Sequence, residues 1–372
     1  LTLLSGNGGN GGDGVVAAVG GIGQVGGDLT LSQSANIQNI TGGVGMTSGN
    51  GGNGGTAGTT TGVVGGQGGD IVVVELGNIG TTLTATGGDG GTGGASTVKD
   101  SQTAGAGGRG GAIGLQDTST TTGGAILYTA GAGGDGGSAN CTSCVGGKGG
   151  AGGILTMLLT GAQGDSVTLV GGAGGDGSSA VVGTGGMGGA GGTIAATIAG
   201  DIAGAVSLDD GNAGSAGGSA GGTAGAAGVA GTVVLNLASS TVTGAVTVVD
   251  DGDATINTAT GAVVFSADIG TSTKKLGVLN ANIQTDFTGN VYVDSLVIAN
   301  GVRIDTESTA TEQVFSGAIT GDGDISVKAN THAVFQGTGN TVDTMAVAAA
   351  GRLELNDNLI IQNDNVLTIA SG

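Results

Sequence analysis

Few side chains in this 372-residue chain have the type and spacing for chemistry, and they lie in four places. Cys141 and Cys144 form C-T-S-C. Two thiolates at that spacing make half of a zinc site, but the other two ligands must be further Cys or His, and none is near. A redox pair belongs at a helix N-terminus beside a strand, whereas this pair sits between glycine runs. A small disulfide staple or two free thiols remain. The segment VDDGDA places Asp250, Asp251 and Asp253 on one turn, and GDGDIS places Asp322 and Asp324 at alternate positions. Carboxylates on flexible glycine-containing turns suit Ca²⁺, so calcium is the only cofactor the pattern admits. The competing reading is solvated corner residues, because neither segment matches the calcium nonapeptide or the twelve-residue EF-hand loop. His332 is the single histidine, which excludes His-based triads and His-rich metal centres.

Paired carboxylates also cleave polysaccharides. Such sites hold sugar with basic and aromatic residues, and this chain has eight basic side chains and no tryptophan. We expect no catalytic residue and no enzyme activity. A formal net charge of -20 repels nucleic acid and anionic membrane surfaces. No apolar run is long enough to span a bilayer, so no direct membrane span is expected.

The elements that must carry these residues are written in glycine. There are 91 glycines, no prolines and only four phenylalanines and two tyrosines, so a large aromatic core is excluded. The segment Gly171 to Gly192, GGAGGDGSSAVVGTGGMGGAGG, holds two runs of paired glycines at a spacing of three around a short tip. That is the period of the polyproline II helix, which has no internal hydrogen bonds. Glycine at two positions of three removes every Cβ that would keep neighbouring chains apart there, so several arms can bond laterally through their backbones. One arm alone gains too little to offset the entropy of ordering glycine.

A glycine pair followed by a β-rich run recurs at VGGDLTL, QGGDIVVVE, RGGAIGLQ, AGGILTMLL, AGGTIAATI and, degenerately, VAGTVVLNL. Counted at Gly27, Gly69, Gly111, Gly153, Gly192 and Gly231, the intervals are 42, 42, 42, 39 and 39 residues. Each repeat carries a second β-like run: ANIQNIT, TTLTAT, GAILYTA, DSVTLV, GAVSL and GAVTVV. Short strands at regular spacing, each too small to bury its own face, require stacking. We expect an all-β fold: a parallel β-solenoid with lateral glycine-rich, polyglycine-II-like excursions. Residues 1–232 form the glycine-rich repeat. In residues 233–372 the paired glycines stop and alternating strands with Asn, Asp and Gly turns continue the β-helix.

The segments Gly261 to Val302 and Val314 to Asn340 resemble the passenger regions of autotransporter-type outer-membrane adhesins, among them the large rickettsial surface antigens. This resemblance implies a secreted parallel β-helix at the cell surface, carried by a larger precursor. The glycine blocks are similar to glycine-rich repeats of mycobacterial surface proteins and to the polyglycine-II assemblies of springtail antifreeze proteins and phage tail-tip adhesins. The functional expectation is an extracellular structural or adhesive module, whose partner is a host-cell or surface receptor or glycan. The alternatives are a filament or surface-layer block pairing with identical copies end to end, and an ice-binding or polysaccharide-acting β-helix. A threonine ladder from TTLTAT, TSTTTGG and GTTTG would serve ice, but the threonines do not recur at one offset.

Overall fold

Alternation of apolar and polar residues dictates the spine. In Ile71–Val74 the side chains of Ile71 and Val73 point inward and those of Val72 and Val74 outward, and almost every later strand repeats the pattern. A four-residue strand cannot bury its inner face alone, so it stacks on its counterpart in the next repeat. The computed structural model describes residues 1–14, 19–32, 39–58, 61–74, 77–97, 102–116, 121–306, 312–362 and 367–369. Among these residues there is no helix, and every strand pairing is parallel. The chain is an all-β parallel solenoid.

Each coil has three faces. The first is a ten-stranded sheet from Leu29–Ser32 to Ala318–Gly321. Its inward column runs Leu29, Ile71, Ile113, Leu155, Ile194, Val233 and Ala254 in unbroken register. The third is a seven-stranded sheet from Thr2–Leu4 to Val246–Val248. Between them lies a column of single bridges, Ile40, Ile79, Thr122, Gln163, Ile202 and Val242. From Thr241–Val242 onward that column widens into a second seven-stranded sheet reaching Leu367–Ile369.

The coil length follows the sequence period and then halves. Asp70 lies 42 residues beyond its neighbour Asp28, Asn236 lies 39 beyond Thr197, and Asn257 only 21 beyond Asn236. The difference is the glycine excursion, which ends at residue 231. The first sheet passes through residue 232 without a break, since Val233–Leu237 pairs with Ile194–Ile198 on one side and Ala254–Thr258 on the other.

In the shorter coils the core changes character. All four phenylalanines form one buried column, Phe265, Phe287, Phe315 and Phe335, with centroids 5.6, 5.9 and 5.1 Å apart. Outside, Asn236, Asn257 and Asn280 pass a side-chain hydrogen bond from coil to coil at 2.9 and 2.8 Å. One expected strand is displaced. The second strand of the first full repeat is Val44–Thr47, in register with Leu83–Thr86, whereas ANIQNIT contributes only the bridge at Ile40 and lies partly outside the described residues. Val44 and Met46 supply the inward pair that the Leu83 and Ala85 coil packs against.

Candidate functional site

Six outward arms (6–13, 49–56, 87–94, 131–138, 171–177 and 211–217) and six return arms (20–27, 62–69, 105–111, 146–153, 185–192 and 222–231) leave the spine on one side. They form two stacked layers, here called the wing. Within the outward layer one N–H of each glycine pair donates to the next arm, as in Gly51 to Asp89 O and Gly90 to Ala132 O, both at 2.8 Å. The return layer does the same, with Gly68 to Arg109 O at 2.8 Å and Gly110 to Ala151 O at 2.9 Å. The other glycine bonds across the layers: Gly52 to Gln24 O, Gly66 to Gly52 O, Gly91 to Gly66 O and Gly108 to Gly91 O, at 2.7–2.8 Å. A Cβ at Gly174 would stand 2.2 Å from the carbonyl oxygen of Gly189, and one at Gly188 1.9 Å from that of Gly214. Only glycine permits this approach.

With two glycines of each triplet turned inward, the third residue points out, and the two faces differ. On the outward layer stand Asn7, Asn50, Asp89, Ala132, Ala173 and Asn212 in one row, and Asn10, Asn53, Thr92, Asp135, Asp176 and Ser215 in the next. Their own N–H groups have no partner within the layers, and where the preceding coil carries Asn or Asp at the same position, that side chain supplies one. The Asn50 N–H donates to Asn7 Oδ1, Asp89 to Asn50 Oδ1 and Ala132 to Asp89 Oδ1, at 2.8–2.9 Å. Asp176 and Ser215 repeat this on Asp135 and Asp176. This ladder was not anticipated from the sequence, because its recurrence at every third residue reads as ordinary polar filler until the outward layer is identified.

The return layer is largely apolar. Ile22, Val25, Val64, Met187 and Val229 are exposed there, Val229 at 74 %, with Gln67 and Lys148 among them. Arg109 and Asp70 form an ion pair at 2.9 Å near the base of the layer. Five exposed large apolar side chains on one thin face exceed the scattered singles of an ordinary surface.

The tips are less free than their varied sequences imply. Ala57, Ser96, Ala139, Ala180 and Ser219 bridge one another in register, and Ala104, Ala139, Cys144 and Ala180 form a second small core. Cys141 and Cys144 are joined as a disulfide within Ala139–Val145, which pairs with Ala180–Thr184. Of the two readings of these cysteines, the structure contains the staple.

The carboxylates expected to bind calcium are redistributed. Asp250 joins Asp209 and Asp210, with one carboxylate oxygen of each within 4.8 Å of the others. Gly252, at φ 84°, turns the chain sharply and leaves Asp253 beside the group. Burial first, then the charges of Asp253, Asp209 and Asp250, together with a contact to the Asp253 carboxyl group, push Asp210 up to about 6. Burial and the charges of Asp250 and Asp253 raise Asp209 as well. Asp251 stands apart, accepting the Lys275 N–H at 2.7 Å. Asp324 accepts a hydrogen bond from the Thr344 hydroxyl, while Asp322 is exposed. Among the described residues neither of these two belongs to a three-carboxylate group. The missed partners, Asp209 and Asp210, are legible in hindsight: the triplet Asp-Asp-Gly ends a strand at both 209–211 and 250–252.

His332 Nε2 lies 3.5 Å from Glu354, which also pairs with Arg352. In register on the third face, Thr84, Thr168 and Thr247 share one outward column with Leu127 and Ser207, so threonine does recur there, interrupted. TSTTTGG and GTTTG lie partly outside the described residues. No described helix is long and apolar enough to cross a membrane.

No protein-family model matches the chain, and no curated protein matches it. Among solved structures, a springtail antifreeze protein from Granisotoma rainieri, described as a nine polyproline type II helical bundle whose crystal waters match the ice lattice, is 23% identical over 60% of this chain and 93% of its own, with a TM-score of 0.12. A likeness at that score carries no argument about fold or function.

Proposed function

We propose that the chain is a non-catalytic, extracellular display module in which a rigid β-solenoid holds out a thin wing whose return face makes an adhesive contact. One observation carries the reading: the outward face is occupied by its own Asn and Asp ladder, while the return face leaves Ile22, Val25, Val64, Met187 and Val229 exposed. Apolar area that the fold does not bury is the driving force left for a partner. The Cys141–Cys144 disulfide supports an oxidising, extracellular setting. The acidic chain keeps such a surface soluble and off anionic membranes.

The test is attachment of the labelled full chain to host cells and immobilised surface glycans. Val64→Asp with Met187→Asp is expected to reduce attachment at least tenfold with unchanged circular dichroism, while Asn53→Lys on the opposite face leaves it intact. Equal attachment by both variants would refute the face assignment. Regular end-to-end filaments in electron micrographs of a non-attaching parent would put self-assembly in place of adhesion.

A second reading uses the same face. Apolar side chains of that face stand on a backbone lattice that repeats from coil to coil, and a regular apolar surface is one that ice binding would use. Retention of the parent in growing ice and exclusion of the Val64→Asp, Met187→Asp variant would select it.

A further inference from the structure

The seam where the wing ends holds an arrangement that neither adhesion nor the solenoid requires. In five successive coils the residue at the end of the third-face strand, where the outward arm begins, is Ser48, Gly87, Ala130, Gly171 and Asp210, aligned by the registers of the strands before them. The position is buried in every coil. Four coils fill it with small residues, and the last outward arm alone places a carboxylate there, 5 % exposed.

The next coil has no arm. Val246–Val248 continues the register, and the chain turns through Asp250, Asp251 and Gly252 into Ala254–Thr258. Asp250 therefore comes beside Asp210 and Asp209 lies against both, while Asp253, outside that trio, meets Asp210 from the far side of the turn. We propose that Asp209, Asp210, Asp250 and Asp253 bind one divalent cation, with calcium the best fit, which ties the base of the last wing arm to the first wingless turn.

Two observations beyond the clustering point to a ligand. Asp210 is almost fully buried, yet its carboxylate faces other carboxylates and, among the described residues, receives no N–H donor and no cation. Asp209 Oδ1 is a buried oxygen without a hydrogen-bond partner. Isolated buried anions are costly, and buried charges are normally paired or coordinate metals. The positive groups nearby do not meet that demand. Lys274 Nζ reaches Asp250 Oδ1 at 3.7 Å from a half-exposed position, and Lys275 presents only its backbone N–H, to Asp251. Asp294 also approaches the turn at Gly252 and adds a further carboxylate. A hard cation that accepts six to eight oxygens in irregular geometry, completed by water and backbone carbonyls, matches several carboxylates on two coils better than a small octahedral one.

The experiment is calorimetric titration of CaCl₂, and separately MgCl₂, into the full chain after EDTA treatment and dialysis, paired with thermal unfolding. Saturable binding of about one Ca²⁺ per chain is expected, tighter than Mg²⁺, with a rise in Tm that grows with Ca²⁺ concentration. Asp210→Ala copies the residue of the coil at Ala130, so it retains the fold, and it is expected to weaken Ca²⁺ at least tenfold and abolish the Tm rise. Asp250→Asn is expected to do the same. Lys274→Gln should leave Ca²⁺ binding intact or tighten it by removing a competing charge. Absence of saturable Ca²⁺ binding, identical isotherms for parent and both Asp variants, or loss of stability in Lys274→Gln that Ca²⁺ does not restore would each overturn the assignment. Attachment to cells plays no part in these readouts, so the outcome is separate from that of the adhesive reading.

Discussion

Asp210 carries a consequence that can be read without any ligand. Its protonation is favoured in the folded chain, with its pKa raised from 3.8 to about 6. The folded state thus holds a proton that the unfolded state has released, and stability falls as pH rises through that window. In EDTA, the Tm of the parent minus that of Asp210→Asn should therefore drop between about pH 4 and pH 6 and level off above. A difference that stays flat or rises over this range would show that the carboxylate is solvated. The glycines make an equally local prediction. Gly174→Ala and Gly188→Ala push a methyl group into facing backbone and should each cost about 1–3 kcal/mol. Gly12→Ala, which meets no atom within 4 Å, should cost little. Chemical denaturation of the three variants separates packed arms from loops. At this scale the sequence revealed one half of the acidic seam. Asp250 and Asp253 announced themselves as a turn cluster, but Asp209 and Asp210 lie one coil earlier, and only strand register brings them together.

At the scale of elements, the paired glycines and the long period were enough to foretell parallel strands and lateral arms. The arms' two faces were not legible. A triplet such as GGD in isolation does not say which layer it joins, and the role of Asn7, Asn50 and Asp89 depends on an acceptor reaching the next coil. The tips vary in sequence, and small size, not identity, is what the column Ala57, Ser96, Ala139 and Ala180 demands. The ladder is testable directly. Asn50→Ala removes the acceptor of the Asp89 N–H, and should cost about 0.5–1 kcal/mol with a matching acceleration of hydrogen exchange at that amide. In the wingless coils, Phe287→Ala empties the middle of the aromatic column and should cost about 3–5 kcal/mol, read by the same denaturation.

Across the whole molecule, one spine supports two regimes. Where coils are long, the third residue of each glycine triplet meets solvent on the wing and the core is mainly aliphatic, with Tyr128 as its buried aromatic side chain. Where coils are short, the Phe column and Asn ladder take over coil-to-coil attachment. The change happens between Val233 and Ala254 without interrupting the first sheet. The acidic seam lies there, where the last arm leaves the spine.

The bonds between wing layers also have a direction in time. Gly66 donates to Gly52, Gly91 to Gly66, Gly108 to Gly91, Gly134 to Gly108, and so on to Gly228 donating to Gly214. Every donor in this series lies later in the chain than its acceptor. A polypeptide emerging N-terminus first, from a ribosome or through a pore, therefore brings each new arm to an acceptor already in place. Only the bonds within a layer, such as Gly51 to Asp89, wait for the coil that follows. The wing is built to close like a zip fastener behind the advancing end, with each completed tooth guiding the next.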